Sequence, residues 1–261
     1  MIQKKFIDAW RYQQAPWPTS LMVEQDLIIS KALVDLYNNP KVKNNLVFRG
    51  GTALNKLFLK PASRHSEDLD FVQKRAESIG DTLDAIRSAL DNWLGEPKRK
   101  LTERSAKLFY YFQTNENIPA KLKIEINTTE HYHVFDHQEL QFDVDSEWFT
   151  GSAKITTYHL DELMGSKLRA LYQRRKGRDL FDMWLLLSKQ MLDVERVVQV
   201  FNAHSKYTNQ IITKKLFEKN MLEKSENEIF RNEINNLITG DINWDFDEAY
   251  SLVLDNIIRY L

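Results

Sequence analysis

The apolar residues of this chain change their period part-way along it. Up to about residue 150, short β-prone runs alternate with helix-like stretches, and Leu122, Ile124 and Ile126 alternate strictly with polar neighbours. Past Gly151 the spacing turns to about 3.6 residues. A chain divided in this way is expected to form a mixed sheet with flanking helices, followed by a helical C-terminal part, an α+β architecture. There is no internal repeat and no Gly/Ser/Pro-rich linker, so the division is placed at the change of period, giving domains 1–150 and 151–261.

Local signals fill in the order of elements. Pro16, Pro18 and Thr19-Ser20 precede a helical pattern over 21–37, which Asn38-Asn39-Pro40 stops. A strand over 46–49 runs into Gly50-Gly51, a helix over 52–59 closes at Pro61, and a strand follows over 69–72. A helix over 77–93 ends at Gly95-Glu96-Pro97, and strands are expected over 106–113 and 120–127. Helices are then expected near 159–176, 179–190, 193–203, 208–221, 226–237 and 246–259.

Several function classes fall away on composition. The chain has no cysteine, which excludes disulfides and thiolate metal sites. Its longest apolar runs, such as Met183-Trp184-Leu185-Leu186-Leu187, are far shorter than the roughly 20 residues needed to cross a bilayer. Polar residues interrupt the N-terminal stretch before it reaches signal-peptide length, so a cytoplasmic protein is expected. With a net charge of −1, any nucleic-acid contact must be local. Residues 161–178 carry six basic side chains against two acidic ones, a local +4, whereas residues 241–261 carry five acidic against one basic, a local −4.

Gly50-Gly51 lies between a strand and a helix, where a turn without side chains lets backbone amides approach a phosphate, with Thr52 as a further ligand. Taken alone, the pair is more often the mark of a tight strand-to-helix connection with no ligand. Arg64-His65-Ser66-Glu67-Asp68-Leu69-Asp70-Phe71 comes next. In an extended strand Asp68 and Asp70 share one face, with Cα atoms about 6.6 Å apart, while Leu69 and Phe71 face the core. Paired carboxylates repel unless a cation joins them, and Mg²⁺ takes both carboxylate and phosphate oxygens. In the 120–127 strand Glu125 shares a face with Lys123 and Asn127. It completes a carboxylate cluster for two-metal phosphoryl chemistry if that strand lies beside Asp68 and Asp70, and otherwise pairs with a neighbouring lysine.

A basic segment forms the fourth element. Gly177 stands where a helix C′ residue would, and Arg174, Arg175 and Lys176 before it suit the negative end of that helix. Lys167, about three turns back, is a candidate for nucleotide phosphates, with Asp182 orienting it or polarising a nucleophile. Asp179 and Asp182 lie one turn apart on the next helix and share a face. Arg174, Arg175, Lys176 and Arg178 are candidates to receive the backbone of a polyanionic acceptor. His131, His133, Asp136 and His137 are not expected to form a zinc site, because ligands so close in sequence rarely complete a tetrahedron. Tyr110-Tyr111-Phe112 reads as core rather than as a base-stacking platform.

Taken in order, Phe48-Arg49-Gly50-Gly51-Thr52-Ala53-Leu54, Arg64-x-Ser66-x-Asp68-x-Asp70-Phe71, Lys123-Ile124-Glu125, and Lys167 followed by Arg178-Asp179-x-x-Asp182 resemble the AbiEii/AbiGii nucleotidyltransferase toxin family. The resemblance covers roughly residues 47 to 187. It implies a polymerase-β-like nucleotidyltransferase core with a helical C-terminal region, and a toxin that acts within a toxin–antitoxin pair. It also implies Mg²⁺-dependent transfer of NMP from an NTP, with tRNA 3′ ends as the acceptor of some relatives and a cognate antitoxin as partner. Ser66 and Asp68 would then lie at the nucleotide and metal site, Asp70 would be the second metal ligand, and Lys167 and Asp182 would complete the site. Two other readings stay open from the residues alone: transfer of a nucleotide or phosphoryl group to a protein or small molecule, and a non-catalytic protein that docks nucleic acid or a partner through its basic helix.

Overall fold

A computed structural model describes residues 2–239 and 241–261. It resolves into two compact units, one formed by the chain up to His131 together with His137–Tyr158, the other by Tyr132–Asp136 and His159–Leu261.

The first unit is built on a seven-stranded mixed sheet in the order β3-β4-β5-β2-β1-β7-β6. Its strands are β1 (Leu46–Arg49), β2 (Asp68–Gln73), β3 (Lys98–Leu101), β4 (Ser105–Gln113), β5 (Pro119–Asn127), β6 (Gln138–Asp145) and β7 (Thr150–Thr157). β2 lies between β1, to which it is antiparallel, and β5, to which it is parallel. Its backbone is thereby bonded on both sides, which fixes the direction of every side chain it carries. Leu69 and Phe71 are buried, while Asp68 and Asp70 point to the other face, as the alternation of a strand requires.

Five helices accompany this sheet: α1 (Lys4–Gln13), α2 (Ser20–Tyr37), α3 (Pro40–Asn45), the short α4 (Gly50–Ala53), which runs on into a π-helical turn over Leu54–Phe58, and α5 (Gly80–Leu94). α2 starts where Thr19 accepts a hydrogen bond from the Met22 N–H. It is buried along most of its length, including Asp26, whose carboxylate accepts the indole N–H groups of Trp10 and Trp17 and an ion pair from Lys56 at 2.7 Å. A buried charge satisfied in this way is tolerated and fixes how α1, α2 and the π-helical turn meet.

The second unit is helical: α6 (Leu160–Gln173), α7 (Gly177–Ser188), α8 (Val194–Tyr207), α9 (Lys214–Ser225), α10 (Glu228–Asn232) and α11 (Phe246–Asn256), with 3₁₀ turns at Glu233–Asn236 and Ile258–Tyr260. Gly165 lets α6 pack directly on α8, since a Cβ there would lie 2.4 Å from the Val200 side chain. The segment Tyr132–Asp136 belongs to this unit because the buried Glu162 accepts the backbone N–H groups of Val134 and Phe135 and bonds His204 at 2.7 Å.

Several expectations shift. The sheet unit extends to Tyr158 instead of stopping at residue 150, because β7 is a strand of the sheet and pairs with β1 and β6. Residues 131–137 form an irregular segment with no helix or strand. Gly177 is the first residue of α7, not a C′ residue: α6 already ends at Gln173, and the Phe230 carbonyl oxygen would lie 2.1 Å from a Cβ on Gly177, so close packing demands the glycine.

Candidate active site

Gly50 turns the chain directly beneath Asp70. In the β1–β2 register Arg49 stands opposite Asp70, and the φ of Gly50, +82°, lies in the left-handed region that glycine enters without a steric penalty. A Cβ on Gly50 would lie 2.7 Å from Asp70 Oδ2. Gly51 is constrained differently: a Cβ there would sit 2.4 Å from Nη2 of the buried Arg64. Both glycines are therefore demanded by what lies against them.

A small set of hydrogen bonds ties this turn to the segment entering β2. Asn55, on the π-helical turn, donates to the Gly51 carbonyl at 2.9 Å, and its Oδ1 accepts the N–H groups of Ser63 and Arg64. The buried Thr52 hydroxyl donates its single proton to the Asp68 carbonyl, so the Ser66 hydroxyl, 2.7 Å away, is the donor to Thr52. Arg64 Nη1 donates to the carbonyl of His65 at 3.1 Å. Thr52 and Ser66 thus act first as braces that hold Asp68 in place.

The carboxylates sit in a ladder of charge across three strands. β5 sets Lys123 opposite Asp68 and Glu125 opposite Asp70, and β4 sets Lys107 opposite Glu125. Lys107 Nζ lies 2.8 Å from Glu125 Oε1, Lys123 Nζ lies 3.1 Å from Glu125 Oε2, and Lys123 Nζ lies 2.7 Å from Asp68 Oδ2. Against the upward push of burial, the two lysines hold the Glu125 carboxyl below its ordinary value. Both Glu125 oxygens are occupied, although the strand itself runs beside β2. Asp70 differs: its carboxylate has no hydrogen bond or ion pair among the described residues, and burial, reinforced by the Asp68 charge, raises its pKa.

In the helical unit, Lys167 Nζ lies 3.1 Å from Asp179 Oδ1 and 2.8 Å from Asp182 Oδ2. Arg174 grips Asp179 with two hydrogen bonds, at 2.7 and 2.9 Å. Both aspartates are fully buried. Although burial pushes the Asp179 carboxyl upward, Lys167 and Arg174 hold it well below the usual carboxylate range. The rest of the basic segment stands apart: Arg175 is exposed, and Lys176 and Arg178 share Glu233 at 3.4 and 4.0 Å.

A family model for the nucleotidyl transferase AbiEii toxin of type IV toxin–antitoxin systems matches residues 31–252. The chain belongs to the AbiEii nucleotidyltransferase toxin family. Its fold is similar to that of MenT4, a nucleotidyltransferase toxin of Mycobacterium tuberculosis, with a TM-score of 0.71, 17% identity, and coverage of 100% of this chain and 91% of that one. It is also similar to JHP933 of Helicobacter pylori, with a TM-score of 0.56, 19% identity, and coverage of 93% of each chain. No curated protein matches the sequence.

The AbiEii match takes in the Gly50 turn, the β2 carboxylates and the Lys167 cluster, and begins after α1. Three participants escaped the sequence reading: Asn55, Lys107, and Lys123 in its contact with Asp68. Lys107 was recoverable, because it lies out of phase with the buried Ala106, Leu108 and Tyr110 of its strand. Asn55 left no trace, since its role depends on a π-helical turn. Among the described residues no three His, Asp or Glu side chains are grouped so as to hold a metal ion, and the 131–137 segment is no exception: His131 Nδ1 meets the Gln73 carbonyl at 2.7 Å and His137 packs on Tyr158. Among the described residues, no helix is long and apolar enough to cross a membrane.

Proposed function

We propose that the protein transfers NMP from an NTP to the 3′ end of a tRNA, in a Mg²⁺-dependent reaction that blocks translation until a cognate antitoxin counters it. The observation that carries this reading is the pair Asp68 and Asp70 on one face of a central strand, with Asp70 seated on the Gly50 turn and making no hydrogen bond or ion pair among the described residues. A half-buried carboxylate without a hydrogen bond is costly. It fits a hard divalent cation, which completes its coordination from one or two carboxylates, water and substrate phosphate. Asp68 and Asp70 would hold that ion. Glu125, with both oxygens taken, supports the pair through Lys123 in place of binding the ion itself. When bound, Mg²⁺ supplies charge stabilisation to the triphosphate and lowers the barrier to in-line displacement.

The chain's own residues do the rest. The Gly50-Gly51 turn gives the triphosphate close access to backbone amides. An acceptor hydroxyl attacks the α-phosphorus, a P–O bond to the acceptor forms, and the bond to pyrophosphate breaks. The hydroxyl proton passes to solvent. Lys167 is assigned to the growing negative charge and Asp182 to orienting Lys167, consistent with their 2.8 Å ion pair. Among the candidates for the acceptor backbone, Arg175, Lys176 and Arg178 are favoured over Arg174, whose guanidinium is committed to Asp179.

The test is direct. Purified protein is incubated with each α-labelled NTP, Mg²⁺ and total tRNA. Label is expected on tRNA and lost with Asp68→Ala and with Lys167→Ala, both remaining folded by circular dichroism. Retained incorporation in either variant refutes the assignment, and label arriving only from γ-labelled NTP identifies phosphoryl transfer instead.

A further inference from the structure

Resting on the reading of Asp68 and Asp70 as the cation-binding pair, we infer that Lys123 is a resident, exchangeable cation of Asp68, which a divalent ion must displace as it loads.

Counted along the strands, the charges alternate: Lys107 with Glu125, Glu125 with Lys123, Lys123 with Asp68. The series then reaches Asp70, which meets the Asp68 charge and feels Lys123 and Arg49 only at a distance, with no ion pair of its own among the described residues. Register places each partner. Lys107 stands opposite Glu125 and Lys123 opposite Asp68, so the contacts follow from strand pairing and do not depend on long excursions of the side chains. The Lys123 ammonium is 2.7 Å from Asp68 Oδ2, inside the hydrogen-bond range of a charged pair. It therefore fills one of the positions from which a metal ion would approach that carboxylate.

An ammonium on Asp68 and a divalent ion on the same carboxylate repel each other. A lysine charge about 5 Å from a doubly charged ion, even at water-like dielectric, weakens ion binding by roughly tenfold. Lys123 is suited to yield. It is only half-buried, its stem is flexible, and Glu125, 3.1 Å away, keeps it paired after it leaves Asp68. Glu125 is thereby a parking place for the lysine, which explains why a carboxylate so near the pair has both of its oxygens bound to lysines.

Removing the ammonium while keeping its stem isolates the effect. Manganese binding, followed by electron paramagnetic resonance without nucleotide, is compared for the full-length protein, Lys123→Met, and Lys123→Gln as a second variant in case the first folds poorly. Either lysine variant is expected to bind Mn²⁺ about tenfold tighter than the parent protein, and adding Asp70→Asn to it is expected to abolish the gain. Unchanged or weaker Mn²⁺ binding in the folded lysine variants, undetectable binding in all of them included, overturns the inference. Failure of the underlying reading is separately visible, as full nucleotide transfer by Asp70→Asn.

Discussion

Replacing Gly50 by alanine tests whether the turn and the carboxylate above it are mechanically coupled. Two costs arise at once. An L-residue at a φ of +82° loses about 1–2 kcal/mol relative to glycine. Its Cβ would also stand 2.7 Å from Asp70 Oδ2, well inside the optimum of about 3.5–4.0 Å for non-bonded contact. Asp70 sits on a strand bonded on both sides, so the side chain must rotate away, or the turn must move, by up to about 1 Å. A total loss of about 2–3 kcal/mol is expected from urea unfolding. A misplacement of about 1 Å at a reacting centre costs around 100-fold in rate, so transfer measured at a temperature where the variant is fully folded should fall by about that factor. Gly80→Ala is the control: the nearest heavy atom to its added Cβ is Ser78 Oγ at 3.7 Å, and its stability should stay within about 0.5 kcal/mol of the parent. Wild-type stability together with wild-type transfer in Gly50→Ala would refute the coupling.

Two further outcomes follow from the charges. Asp70→Asn should stabilise the metal-free protein at neutral pH while abolishing transfer. The native pKa of Asp70 is raised by burial and by Asp68, so stability from its neutral form is full at acid pH and is lost as pH rises through that pKa; the gap between variant and parent, read from urea midpoints, should open with rising pH and vanish in acid. Lys224 is buried among the Leu171 and Tyr172 carbonyls and Asn220 Oδ1, and burial lowers its pKa to about 8. A folded pKa below the unfolded one means that the unfolded state binds more protons above pH 8, so stability should rise between about pH 8 and 10.5, by on the order of 1–3 kcal/mol. Lys224→Met should flatten that rise, and an unchanged pH profile in the variant would count against the assignment.

The parts of the fold that were legible in the sequence are those whose signals are local. Strict alternation at Leu122, Ile124 and Ile126 marked β5, and the Thr19 cap with the Asn38-Asn39-Pro40 stop bounded α2 closely. β6 and β7 were missed because they are polar on one face and carry few apolar markers: only Phe142 and Val144 in the first, and Ala153 and Ile155 in the second, are buried apolar side chains. α1 escaped because its anchoring comes from Trp10 bonding Asp26, a contact sixteen positions away in sequence. At the site, spacing alone put Asp68 and Asp70 on one face, since period two is a property of any strand. The position of Glu125 opposite Asp70 required the parallel pairing of β2 with β5, and no spacing encodes which strands become neighbours. The misreading of Gly177 has the same origin, because the Phe230 carbonyl that excludes a side chain there lies more than fifty residues along the chain.

Asp70 brings these threads together. A fold selected only for stability would give its carboxylate a partner, as it does for Asp68, Glu125 and Asp179 with lysine or arginine. Instead β2 presents two like charges on one face and holds them there with backbone bonds to β1 and β5, while Gly50, having no Cβ, leaves room for the Asp70 carboxylate that any side chain there would push aside. The rigidity matters because repulsion between flexible groups relaxes, whereas repulsion between groups fixed on a central strand persists until a cation arrives. The stability withheld at Asp70 is therefore recovered on binding, and a divalent ion should raise the unfolding midpoint of the parent protein by mass action while leaving that of Asp70→Asn unmoved.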